Sequence, residues 1–256
     1  YATRPADAAT AKLDADDLLQ GGPAVRIAGD MAGGVLVDAP PPDLNASDPD
    51  EDKDGVPDAQ ETTGTLSVFG AAPALMVGSG SRAVRLGVVG TGVDAYGLVI
   101  KGVVQSAGVY DGVSATGVQL GGLGGAVAVD GGVRVTGSLT AAAVKADATA
   151  LRLGASATTP ALVNAGTLKA QATAVDAVNV RAVRIDAGAS VPTLGNTGAI
   201  VAAISGAKGS ATAVLDASGS LRAITNTNLI SATITPSAAG TAVTGQAVAL
   251  DLRANT

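Results

Sequence analysis

ALRLGASATTPALVNAGTLKA (150–170), AVRIDAGASVPTLGNTGAIVA (182–202) and AVLDASGSLRAITNTNLISA (213–232) decide how this chain is read. Laid over one another, they bring Asn164, Asn196 and Asn226 into one column, at spacings of 32 and 30 residues. A small or polar pair follows each Asn, and then comes Leu168, Ile200 or Ile230, the last with Leu229 beside it. Short apolar–any–apolar runs closed by Gly or Asp also occur outside these stretches: VLVD (35–38), LMVG (75–78), VRLG (84–87) and VQLG (118–121). Alternation of period two, bounded by Gly, Asp and Asn, is a strand signature.

Strands that recur every 20–36 residues predict a solenoid, in which each strand pairs with its equivalent in the coils above and below. The fold class expected is all-β, a parallel β-helix. Val, Leu and Ile point inward, while Gly, Asp and Asn make the corners. Leu153, Ile185 and Leu215 are expected to form one inward ladder. A two-sheet β-sandwich would also explain the strands, but not the Asn column. Stacked Asn side chains satisfy buried backbone groups at a recurring turn, so that column is read as structural rather than functional. Residues 1–23 form an N-terminal segment whose 12–20 stretch, between Pro5 and Gly21–Gly22–Pro23, is expected to be a short helical cap. The β-helix is assigned to 24–256, with 40–63 an acidic insertion.

Composition agrees with regular stacking. Only 2% of the 256 residues are aromatic and 47% are hydrophobic, so the core must come from small and β-branched side chains. There is no Cys or His, which excludes disulfides, thiolate or imidazole metal sites and His-based acid/base chemistry. No run approaches 18 apolar residues, so no membrane-spanning helix is expected. The chain opens on YATRPADAAT with neither an initiator Met nor an apolar signal core, as expected of a processed chain or a fragment.

Net charge is −6, unevenly placed. Eight of the 22 acids and one of the 16 bases lie between Asp43 and Glu61, leaving 14 and 15 over the rest. That balance offers no basic face for a phosphate backbone, and few rings on which bases could stack. Nucleic acid is therefore not an expected partner.

Counted from Asp50, the acidic stretch fits D-x-[DN]-x-[DN]-G-x5-E at every specified position. Calcium takes six to eight hard oxygens, and alternate carboxylates on a tight loop converge on one point. The expected ligands are Asp50, Asp52, Asp54, the carbonyl of Val56, Asp58 and Glu61, with Gly55 at the bend. A solvated acidic loop is the bland alternative, but carboxylates this close repel one another without a counter-ion. PPPDLNAS (40–47) is broken by prolines, so no helix pair flanks the loop and calcium is expected to stiffen it rather than switch it.

Catalysis finds little support. Acids outside the loop are scattered singly. Asp186 and Asp216, 30 apart, are the one pair expected to share a column, where their separation would suit a retaining glycosidase. Both nevertheless follow a strand at a corner, where Asp is a common turn residue. GLGGAVAVDGG (122–132) is Gly-rich but has neither a following helix nor a P-loop Lys.

KLDADDLLQGGPAVRIAGDMAGGVLVDAPP (12–41), the loop DEDKDGVPDAQE (50–61), YGLVIKG (96–102) and GVYDGVSATGVQLGG (108–122) together resemble the passenger region of autotransporter-type surface proteins of sphingomonad-like bacteria. The loop itself resembles the calcium repeats of thrombospondin type 3 modules. The first resemblance implies a right-handed β-helix, secreted or held at the outer membrane and ordinarily followed by a β-barrel. It implies a non-enzymatic adhesin or structural stalk that meets an unknown surface or matrix ligand. The alternative readings are a subunit of an extracellular filament or surface layer, self-associating through coil ends or faces, and a glycan-active enzyme.

Overall fold

A computed structural model describes residues 21–45, 47–92, 95–174 and 176–255. The helical cap expected at 12–20 lies outside them. Among the described residues the chain winds repeatedly past the same stations, laying down parallel sheets of seven, six, six and three strands. Every pairing between named strands is parallel; the single antiparallel contact among the described residues is an isolated bridge, Val89 to Tyr96. The fold is a parallel β-solenoid.

Register makes the repeat visible. In the first sheet, Val25, Leu75, Val118, Leu151, Val183, Val214 and Leu250 occupy one column. From Val118 onward the steps are 33, 32, 31 and 36 residues, within the range set by the sequence repeats. The two earlier steps are 50 and 43 residues, because loops are let out from those coils. The second sheet stacks Val35, Leu98, Val133, Leu162, Leu194 and Ile224, and the third stacks Leu66, Val104, Leu139, Leu168, Ile200 and Ile230.

These columns make the core. Its buried members are Val, Leu, Ile and Ala alone, without one aromatic side chain. Burying each Leu or Ile contributes about 1.5–3 kcal/mol, so stability accumulates from many similar steps. Phe69 and Tyr110 pack in a separate small cluster with Val109 and Val113.

The Asn column is present as read. Asn164 Nδ2 donates to Asn196 Oδ1 at 2.7 Å, and Asn196 Nδ2 donates to Asn226 Oδ1 at 2.7 Å. The same amides donate to the main-chain carbonyls of Gly166, Ala199, Gly198 and Leu229. The earlier coils carry Val37, Ile100 and Val135 in this column. Two residues beyond it, Gly102, Gly137, Gly166 and Gly198 take the corner, where an added Cβ would strike the carbonyl oxygen of the coil before.

Leu215 is a correction. Ile185 pairs with Asp216, and Leu215 pairs with Arg184. The inward ladder is therefore Val77, Leu120, Leu153 and Ile185, and it ends on Asp216, which is 1% exposed. Side chains alternate faces with period two, so the one-residue slip turns Leu215 outward.

Candidate metal centre

Residues 38–64 connect strand Val35–Val37 to strand Thr65–Phe69, with one 3₁₀ turn at Asp58–Gln60 as the only regular element described. The excursion is closed at its neck. Gly64 N donates to Asp38 O at 2.9 Å, and Lys101 Nζ from the neighbouring coil pairs with Asp38 Oδ1 at 2.9 Å. A Cβ at Gly64 would lie 2.7 Å from Asp38 O, so only glycine lets the two ends approach this closely.

Within the loop, backbone amides fold onto carboxylates at i−2, as short polar side chains do in turns. Asp54 N donates to Asp52 Oδ1 and Val56 N to Asp54 Oδ1. Gly55, at φ +91°, bends the chain so that its N–H reaches Asp50 Oδ2 at 3.2 Å. The result brings carboxylate oxygens of Asp50, Asp52 and Asp54 within 4.8 Å of one another. Asp50 Oδ1 is buried there without a hydrogen-bond partner among the described residues. A buried lone pair with no donor is costly unless a cation meets it.

The expected ligand set is divided. Asp58 lies with Asp43 and Glu51, whose carboxylate oxygens form a second group within 4.8 Å. Asp58 Oδ1 accepts from Glu51 N, and Glu51 Oε2 accepts from Leu44 N. The Glu61 carboxylate belongs to neither group. Asp43 and Glu51 were missed as candidates, although a signal existed: if alternate residues 50, 52 and 54 face one way, residue 51 faces the other.

Desolvation and crowded charge shift two of the loop carboxyls. Partial desolvation raises the carboxyl of Glu61 above its ordinary value, and the charges of Asp52, Asp54, Asp58 and Asp50 push it further. Asp58 is likewise raised, by desolvation first and then by Asp43, Glu51 and Asp50, against the lowering effect of the Glu51 N–H. Between loop and solenoid wall lies an open cleft of about 940 Å³, lined by Pro40–Pro42, Asp52, Asp54, Glu61, Lys101 and Thr136.

The Asp186–Asp216 pair is not assembled. Asp216 points inward, accepting from Ser218 N, Ser218 Oγ, Gly219 N and Leu221 N. Burial pushes its carboxyl upward, but the Ser218 hydroxyl and the N–H groups of Leu221, Ser218 and Gly219 outweigh this and hold it below the ordinary carboxylate value. Asp186, one residue out of register, sits on the outer side between Arg152 and Arg184.

No described helix is long and apolar enough to cross a membrane. The chain matches no known protein family, no curated protein and no solved structure.

Proposed function

We propose that this chain is a non-enzymatic structural or adhesive β-solenoid of the cell surface or extracellular space, an autotransporter-type passenger whose acidic excursion is stabilised by calcium. The observation that carries the calcium reading is the convergence of Asp50, Asp52 and Asp54 around the unpartnered, buried Asp50 Oδ1. An all-carboxylate donor set without nitrogen or sulfur suits a hard cation, and calcium is plentiful outside cells. Val56 O, Asp58 and Glu61 lie in the same loop and would add oxygens as it tightens. The aliphatic stack supplies a stiff support, and the passenger resemblance supplies the location. The unknown surface or matrix ligand is to be sought among partners of the exposed faces.

Calcium titration of the purified chain, followed by calorimetry and by limited proteolysis of residues 40–63, tests this reading. Saturable binding with protection from cleavage is expected. No heat, together with unchanged cleavage and an unchanged melting temperature on adding chelator, would overturn it.

Filament or surface-layer assembly, by self-association through coil ends or faces, is the alternative reading. Electron microscopy separates the two: single rods favour the passenger, regular polymers the filament.

A further inference from the structure

Asn45 differs from every other asparagine in the chain. The seven are Asn45, Asn164, Asn179, Asn196, Asn226, Asn228 and Asn255. The side-chain amides of the other six all donate hydrogen bonds: Asn164 and Asn196 within the ladder, Asn179 to Asp147, Asn226 to Asn228 O, Asn228 to Thr197 O and Asn255 to Leu221 O. Asn45 Nδ2 donates to nothing among the described residues, and Asn45 is exposed. It also stands in the chain's one Asn-x-Ser/Thr triplet, Asn45-Ala46-Ser47, whose middle residue is not proline. That triplet is the acceptor signature for N-linked glycosylation.

The local geometry suits the chemistry. Ser47 N donates to Asn45 Oδ1 at 3.2 Å, and Asn45 N donates to Asp43 Oδ1 at 3.1 Å. Asp48 N closes the turn onto Asn45 O at 2.8 Å. The Asn side chain is thus held by its oxygen, while its nitrogen donates to none of the described residues. A bond to the carboxamide oxygen draws charge from the nitrogen and makes its protons easier to remove. Leu44, 86% exposed, leaves the approach open on the preceding side.

We propose that Asn45 is an acceptor for an N-linked oligosaccharide, delivered from a lipid diphosphate donor by a membrane oligosaccharyltransferase. In the transfer, a bond forms between Asn45 Nδ2 and the first sugar carbon as that carbon's bond to the diphosphate oxygen breaks. The lipid diphosphate leaves with the bonding pair, and one Nδ2 proton passes to base. The proposal rests on the export reading only for where the modification takes place, so its test is run outside any cell.

Purified folded chain is incubated with a detergent-solubilised oligosaccharyltransferase and its lipid-linked oligosaccharide, and the products are read by intact mass and peptide mapping. One glycan on the peptide containing Asn45 is expected. N45Q and S47A should abolish it, whereas S47T should retain it. An unmodified folded chain would overturn the proposal, whether or not a synthetic 40–61 peptide accepts the glycan, and so would a glycan at another residue. Calcium binding measured on N45Q reports on the metal reading separately.

Discussion

Asn196 offers the sharpest test of what holds the later coils together. Its amide nitrogen donates to Gly198 O, Asn226 Oδ1 and Leu229 O, and its oxygen accepts from Asn164 Nδ2. The two amide protons are shared among three acceptors, so with the bond to its oxygen the side chain makes the equivalent of three hydrogen bonds; at about 1 kcal/mol net for each, Asn196→Val forfeits about 3 kcal/mol. The buried valine returns about 1–2 kcal/mol, so a loss of about 1–2 kcal/mol is expected. Asn226→Val, at the exposed end of the ladder, should cost under about 1 kcal/mol because water replaces the missing partners. The triple Val variant at 164, 196 and 226 should cost less than the three single changes added together, since donor and acceptor disappear at once. The protein already carries the apolar version of this column in Val37, Ile100 and Val135. Its corner carbonyls stay satisfied without the amides, as Gly166 O accepts from Ala199 N and Gly198 O from Leu229 N. Urea unfolding followed by far-ultraviolet circular dichroism gives these free energies, provided the m-value is unchanged. Equal costs for Asn196→Val and Asn226→Val, or single costs that add up to the triple, would refute the ladder as a cooperative unit.

Three further outcomes are expected. Gly198→Ala should destabilise strongly, and more than Gly195→Ala, because a Cβ at 198 collides with Gly166 O while one at 195 meets nothing; thermal melts compare them. Asp216→Asn should cost about 2–3 kcal/mol, the range for hydrogen bonds to a charged group. Since the folded state holds Asp216 below its ordinary value, its contribution is present above the unfolded pKa and is lost as pH falls through the folded pKa. An acid titration of stability should therefore be shallower below pH ~4 in Asp216→Asn than in the parent chain. Asp54→Asn should weaken calcium binding by about tenfold or more, as expected when one charged ligand is neutralised, and calorimetry reads this directly.

Much of the fold was legible because the solenoid repeats its own evidence. Asn164, Asn196 and Asn226 mark a fixed place in three coils of nearly equal length, so their spacing alone aligns the strands around them. The first two coils resist this reading, because the excursions after Val37 and Leu86 stretch their steps to 50 and 43 residues. Leu215 was misplaced for another reason. An aliphatic residue looks as though it belongs inside, yet register, not hydropathy, decides the face, and the inward place falls to Asp216. Only the four donors supplied by Ser218, Gly219 and Leu221 make that acid tolerable there, and nothing in the local pattern announces them. The acidic loop was legible as a list of acids but not as a partition. Linear spacing placed Asp58 with Asp50, whereas the fold turns it toward Glu51 and Asp43.

That partition bears on what a bound calcium ion would do to the molecule as a whole. The excursion of 38–64 returns to its starting point through Asp38 and Gly64, and Lys101 holds the neck to the next coil. Closing a loop of this length costs about 3 kcal/mol in chain entropy, a sum set by its length and not by its sequence. The flanking strands Val35–Val37 and Thr65–Phe69 are paired with the next coil regardless of what the loop does. Loop and stack therefore have separate reasons to be ordered, and local opening of the loop need not open the coils. A ligand present at 100 times its Kd stabilises whatever unit it holds by about 2.7 kcal/mol. If that unit is the loop alone, calcium slows cleavage within 40–63 about a hundredfold while the global urea midpoint scarcely moves. If the loop unfolds only with the stack, both readouts shift by the same free energy. The neck geometry favours the first outcome, and equal shifts in proteolysis and urea unfolding would show that reasoning to be wrong.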